Sequence, residues 1–164
     1  MVQSKVRGCI CPVVTPFTPD GSIDEKTFRK VIDYVVERGI HGVFTAGTVG
    51  AFYLLTPEER KKVGEIAIRH LNGRVPVFMG TGGITVRENI ELTKHAKDVG
   101  ADAAVVLTPY YVKVSDEELF QYFTAIANSV DMPIILYNNP GRAGLNITPS
   151  VLERIVSETS NIVA

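Results

Sequence analysis

Short apolar runs alternate along the chain with longer stretches in which apolar residues recur every three or four positions. The runs are Ile10–Thr15, Gly42–Thr45, Val75–Met79, Ala103–Leu107 and Ile134–Tyr137, and they are nearly continuous in apolar residues, as parallel strands covered on both faces are. A sixth begins at Ile162. The stretches between them carry stripes such as Phe28, Val31, Ile32 and Val35, or Leu119, Phe123, Ile126 and Val130, spaced to bury one helix face. Run, turn and helical stretch repeat five times at intervals of about thirty residues, the length of one βα unit.

Polar residues mark the helix ends. Thr56-Pro57-Glu58-Glu59, Thr85-Val86-Arg87-Glu88 and Ser115-Asp116-Glu117-Glu118 each place a hydroxyl three residues before a glutamate, so side chains can satisfy the free N–H groups of a first turn. Asp24 and Thr148-Pro149 open the remaining two helices. Gly39, Gly73 and Gly100 follow three helical stretches, where a residue with positive φ is commonly needed.

Repeated βα units build either an open doubly wound sheet or a closed (β/α)8 TIM barrel. Thr15, Thr45 to Thr48, Thr81, Thr108 to Tyr111 and Tyr137-Asn138 all fall at the carboxyl ends of the runs. In a barrel those ends converge on one mouth, where barrel enzymes place their sites; in an open sheet the ligand sits at one switch point. The barrel is therefore the expected α/β fold, with residues 1–164 forming a single domain that supplies five units and the start of a sixth strand. A full barrel takes about 250 residues, so these units alone leave two apolar sheet edges open.

Composition narrows the function classes. Apolar residues make up 45% and charged residues 21%, a balance typical of a folded, soluble protein. With 17 Lys and Arg against 18 Asp and Glu, scattered in both signs, there is no basic face for nucleic acid. Met1–Lys5 lead into an apolar stretch interrupted by Pro12 and Pro16, and no run has the length of a membrane span, so the cytoplasm is the expected compartment. Cys9 and Cys11 are spaced to share one face of a strand and are expected as small buried residues, not as a bridge. His41, His70 and His95 lack ligand spacing, and no metal site is expected.

Four turns hold the candidate chemistry. Gly47-Thr48-Val49-Gly50 is either a tight turn or a small-anion site with backbone N–H groups and a hydroxyl. Gly80-Thr81-Gly82-Gly83 has its third glycine misplaced for dinucleotide binding and is expected as a turn. Thr108-Pro109-Tyr110-Tyr111 and Tyr137-Asn138-Asn139-Pro140-Gly141-Arg142 put phenols and a guanidinium at strand ends, where they can handle protons and carboxylates.

Together with Thr56-Pro57-Glu58-Glu59-Arg60, these turns resemble, in order and spacing, the dihydrodipicolinate synthase and N-acetylneuraminate lyase family over the whole chain. The resemblance implies a barrel aldolase in which a lysine on the sixth strand forms a Schiff base with pyruvate and the resulting enamine attacks an aldehyde, with no cofactor. By the same resemblance Tyr137 shuttles the proton near the imine, Thr48 links it to a second tyrosine, and Tyr111 is that tyrosine, reaching across a subunit interface of a homo-oligomer, dimer or tetramer. Gly47 and Val49 offer backbone to pyruvate's carboxylate, and Arg142 holds the carboxylate of the second substrate.

Three positions depart from the family's pattern. Val49 and Ala51 replace the second threonine and the glutamate of a turn that commonly reads Gly-Thr-Thr-Gly-Glu, and Ala143 stands where dihydrodipicolinate synthases usually have threonine. The implied reaction is pyruvate plus aspartate semialdehyde, in lysine biosynthesis; aldolases of 2-keto-3-deoxy sugar acids or N-acetylneuraminate are the alternative. The family's lysine is expected about two residues past Asn161-Ile162-Val163-Ala164, and Lys113, in a loop beyond the fourth strand, does not substitute for it. Residues 1–164 alone are therefore expected to be inactive, and a partial barrel that hides its edges by self-association is the non-catalytic alternative.

Overall fold

The computed structural model describes residues 6–164; Met1–Lys5 lie outside it. Five parallel strands form one sheet: β1 (Ile10–Pro12), β2 (Gly42–Thr45), β3 (Val77–Gly80), β4 (Ala103–Leu107) and β5 (Ile134–Tyr137). They lie side by side in chain order, with Ile10 opposite Gly42, Val43 opposite Val77, Phe78 opposite Ala103 and Ala104 opposite Ile134. No reversal of order occurs, which is the winding of a (β/α)8 barrel and not of a doubly wound sheet. The chain forms the first five units of that barrel. The sixth strand starts as expected: Ile134 N–H donates to Asn161 O (2.8 Å), Val163 N–H to Ile134 O (2.9 Å) and Leu136 N–H to Ala164 O (2.8 Å).

Helices α1 (Glu25–Val36), α2 (Pro57–Leu71), α3 (Val86–Asp98), α4 (Asp116–Asn128), the single turn α5 (Pro140–Ala143) and α6 (Pro149–Glu158) connect and cover the strands. Every expected N-cap is in place. Asp24, Thr56, Thr85, Ser115 and Thr148 each accept a first-turn N–H, and Thr56 and Ser115 close full capping boxes with Glu59 and Glu118. Gly39, Gly73 and Gly100 all adopt positive φ.

The two sheet faces differ. Val43, Val77, Met79, Ala104, Val106 and Ile134 point outward and pack with Phe28 and Ile32 of α1, Ile66 and Ala67 of α2, and Leu119, Phe123 and Ile126 of α4. Phe28, Ile32 and Ile126 are completely buried, each worth about 1.5–3 kcal/mol in apolar burial. The inner face carries Ile10, Phe44, Phe78, Val105, Ile135 and Tyr137, with a cavity of about 340 Å³ against it.

Two strand boundaries differ from the expected runs. β1 ends at Pro12 instead of Thr15: one more bond follows, Val13 N–H to Phe44 O (3.0 Å), and the chain then leaves the sheet before Pro16, with Thr15 donating its hydroxyl to Gly50 O (2.8 Å). β3 begins at Val77 instead of Val75, after Pro76, whose carbonyl accepts from Val43 N–H (2.9 Å). The cysteines are not buried as expected: Cys9 is exposed and Cys11 half-buried, both as free thiols. Cys9 precedes the strand at its amino end, where its backbone exchanges hydrogen bonds with His41 (2.9 and 2.7 Å) and its side chain is left at the surface. Among the described residues no helix is long and apolar enough to cross a membrane.

Candidate active site

The carboxyl ends of β2, β4 and β5 surround a cleft of about 220 Å³ lined by Thr48, Phe52, Tyr53, Leu107, Tyr110, Asn139, Arg142 and Ala143. At its inner wall Thr48 Oγ1 lies 3.3 Å from Tyr137 Oη, and Asn139 Nδ2 donates to the same Tyr137 oxygen at 3.0 Å. Thr48 also borders the cavity on the inner sheet face, which Tyr137 lines, so the hydroxyl pair links the two spaces. The edge of Phe44 packs on the Tyr137 ring, with centroids 6.2 Å apart at 87°, and fixes where the phenol points.

The turn after β2 is built differently from its glycine spelling. The left-handed residues are Ala46 (φ 51°) and Ala51 (φ 52°), while Gly47 and Gly50 are not left-handed. Gly47 is required by space, because a Cβ there would come within 2.6 Å of the Phe44 ring. Ala51 N–H donates to Thr48 O (3.2 Å) and Phe52 N–H to Gly47 O (3.3 Å), which closes the turn and leads into the short 3-10 segment Phe52–Leu54. Val49 is half exposed and faces the inner cavity.

Buried polar groups brace the cleft from behind. Arg60 of α2, only 3% exposed, donates to Gly80 O (3.1 Å) and Gly82 O (2.6 Å), contacts Glu88 (3.3 Å), and sits 5.3 Å from the centre of the Phe52 ring. Burial pulls its guanidinium below the ordinary arginine range, with Glu88 opposing. Phe52 in turn packs edge-on against Tyr110 at 5.7 Å, whose phenol burial pushes up. Tyr122 Oη donates toward Leu107 O (3.0 Å) and receives Asn89 Nδ2 (2.6 Å), and burial raises this phenol well above the usual tyrosine range. Gly80-Thr81-Gly82-Gly83 is thus a turn whose carbonyls are held by Arg60, Asn89 and Tyr122. A Cβ on Gly80 would meet Ala46 O at 2.1 Å, so the β2 and β3 ends touch backbone to backbone there.

The structure therefore brings Thr48 and Arg142 to one cleft, with Tyr137 on the inner sheet face joined to that cleft's wall through Thr48 and Asn139, and with Gly47 and Val49 beside it. Tyr111 is not among them. It is 93% exposed with φ 76°, while its neighbour Tyr110 occupies the cleft wall. Thr15, Thr45, Thr81 and Thr108 are buried and do not line the cleft, contrary to the expectation that every strand end contributes; Thr81, for one, is turned to α3, where Thr93 donates to it at 2.9 Å. Asn139, Tyr110 and the buried Arg60 are not separable by sequence from capping and rim packing; the signal for Asn139 and Tyr110 is their place in the strand-end motifs, and for Arg60 its place in the helix-start motif Thr56–Arg60.

Parallel βα units wound in sequence order, with hydroxyl, phenol and guanidinium groups gathered at the strand ends, define the site-bearing part of a (β/α)8 barrel. The chain belongs to the dihydrodipicolinate synthetase family, whose profile matches residues 5–164. It is 46% identical over 158 residues to the 4-hydroxy-tetrahydrodipicolinate synthase of Pelobacter propionicus, covering 96% of this chain and 54% of that protein. It is 44% identical over 164 residues to YagE of Escherichia coli K12, which bears the provisional name 2-dehydro-3-deoxy-D-gluconate aldolase, covering 99% of this chain and 54% of YagE. The crystal structure of YagE in complex with pyruvate superposes with a TM-score of 0.93 at 44% identity, over 96% of this chain and 53% of that one. A dihydrodipicolinate synthase from Acinetobacter baumannii complexed with pyruvate gives 0.92 at 43%, over 96% and 54%. The chain spans about half the length of the curated relatives it matches.

Proposed function

We propose that the chain supplies the proton-handling and carboxylate-binding side of a pyruvate-dependent class I aldolase. The observation that carries this reading is the Tyr137 hydroxyl, held between Thr48 Oγ1 and Asn139 Nδ2 at the wall of a cleft that also contains Arg142. The amine is assigned to the sixth strand, whose opening residues pair with β5 and run toward the same mouth. The lysine nitrogen adds to C2 of pyruvate; Tyr137 gives its proton to the carbinolamine oxygen, which leaves as water as the C=N bond forms. The Tyr137 phenolate takes a proton from C3 to give the enamine, whose C3 attacks the aldehyde carbon while the phenol returns that proton to the aldehyde oxygen, and water then releases the product from the lysine. Backbone at Gly47 and Val49 takes the pyruvate carboxylate. Tyr111, nearly all of it in solvent, completes the proton relay of a neighbouring copy in a homo-oligomer.

Arg142 at the cleft favours an acceptor aldehyde with its own carboxylate, as aspartate semialdehyde has. A second reading, a 2-keto-3-deoxy sugar acid, draws on Ala143: a buried methyl in the cleft wall gives an acceptor no hydroxyl partner there, and YagE is as similar as the synthases. The test is borohydride reduction, in the presence of pyruvate, of a polypeptide that carries this chain and continues through the sixth strand. The expected result is a covalent adduct on one lysine by peptide mass spectrometry. Absence of an adduct removes the aldolase reading in favour of a non-catalytic barrel module. Comparing kcat/KM for condensation of aspartate semialdehyde with that for cleavage of 2-keto-3-deoxygluconate then separates the two acceptors.

A further inference from the structure

We infer that Asn139 is a positioning residue that aims the proton of Tyr137 toward Thr48 and the cavity on the inner sheet face, a role that rests on the aldolase reading above. Asn139 is the N-cap of α5, and its carbonyl accepts from Arg142 N–H (3.0 Å) and Ala143 N–H (2.9 Å), which anchors its backbone. An asparagine at this position ordinarily turns its side-chain oxygen to a first-turn N–H. Here the side chain makes no cap hydrogen bond. Its amide is instead directed back two residues to Tyr137 Oη at 3.0 Å, within the cleft wall.

The polarity of that contact decides what it does. An amide nitrogen has only protons to give, so Tyr137 must be the acceptor and its own proton is denied to Asn139. Two directions are left for it: Thr48 Oγ1 at 3.3 Å, or an oxygen bound in the inner cavity that Tyr137 lines. Phe44 sets the position of the ring; Asn139 sets the orientation of the O–H bond. When Tyr137 transfers its proton to the departing carbinolamine oxygen, a phenolate remains, and the Asn139 N–H then bonds an anion, a stronger bond than it makes to the neutral phenol. The contact is thus stronger after transfer than before it, which favours the transfer. The adjacent Asn138 serves the loop instead, donating to Asn146 Oδ1 (2.8 Å) and accepting from Ile147 N–H (3.1 Å). Two neighbouring asparagines therefore divide structure and chemistry between them.

Asn139→Asp and Asn139→Leu, made in the polypeptide that continues through the sixth strand, test this. Asp keeps the shape and caps α5 at least as well, but its carboxylate only accepts, so it draws the Tyr137 proton out of the relay. Leu removes the donor without offering an acceptor. The expected kcat losses are about 10²-fold for Asp and about 10-fold for Leu, with KM for pyruvate within about threefold and the pyruvate adduct still trapped by borohydride, more slowly than in the parent. A packing role predicts the reverse order, Asp near the parent and Leu impaired. Turnover of Asn139→Asp within threefold of the parent overturns the proposal while the parent's adduct leaves the aldolase reading standing; no adduct in the parent overturns both.

Discussion

The two ends of each strand's work can be compared directly: the outward side chains of the sheet, packed under the helices, and the residues just past the strands' carboxyl ends, gathered at the rim. Under the helices, Val43, Met79, Val106 and Ile134 meet Phe28, Ile66 and Phe123 with almost no polar atom between them. At the rim, Ala46, Ala51 and Tyr111 hold positive φ, and hydroxyl, amide and guanidinium groups sit half exposed around open space. The first region is bound by apolar burial, which is nondirectional and tolerates neighbours of similar size. The second depends on directed contacts of about 3 Å between named atoms, such as the Asn139 to Tyr137 bond. Stability and chemistry are therefore assigned to different atoms of the same βα units, and they should fail separately.

Phe28→Ala breaks the comparison on the stability side. The ring is fully buried on α1 and lines neither the cleft nor the inner cavity, and its loss should lower unfolding free energy by about 3–5 kcal/mol in a denaturant titration, while turnover per folded molecule stays within twofold. Tyr137→Phe is the reverse case. Deleting one hydroxyl should cut kcat by about 10²-fold or more, equivalent to about 2.7 kcal/mol of barrier, with little change in the unfolding midpoint; turnover within a few-fold of the parent would refute its role. The smallest effect concerns a pair at the helix surface. Arg74 first, then His70, holds the carboxylate of Asp33 below the ordinary aspartate range. A depressed folded value means the pair stabilises fully above that range and is lost as pH falls through the lowered value. Asp33→Asn should thus reduce stability most near neutral pH, with the gap to the parent closing as acid unfolding is approached. A constant gap would show that the contribution is packing, not charge.

The same division explains what could be read from sequence. Residues of the covered layer announce themselves by period, so β2, β4 and β5 begin and end where their apolar runs do, and Thr56 or Ser115 mark helix starts through chemistry confined to four residues. Rim geometry depends on contacts across the chain. Nothing local distinguishes Tyr110, which Phe52 captures from 58 positions away, from Tyr111, which projects into solvent. At the turn after β2 the left-handed residues are the alanines flanking Gly47-Thr48-Val49-Gly50, and Gly47 answers to the Phe44 ring, contacts that the local spelling does not show. Arg60 reads as a surface residue of a capped helix until the fold delivers two carbonyls to its guanidinium. Asn139 could be expected only as a cap.

The order of the strands also bears on how the molecule forms. Because β1 to β5 lie beside one another in chain sequence, each strand finds its sheet partner in the unit made just before it. Loop closure for each pairing spans roughly one βα unit, a modest entropic cost that does not grow as the sheet widens. Such a chain can add units in the order of synthesis, each docking on an edge already waiting, and in any barrel closed with this winding the edge of β1, Ile10–Pro12, would be met by the last strand. The slow step of assembly is then expected at that seam, not in the layer that contributes most of the stability.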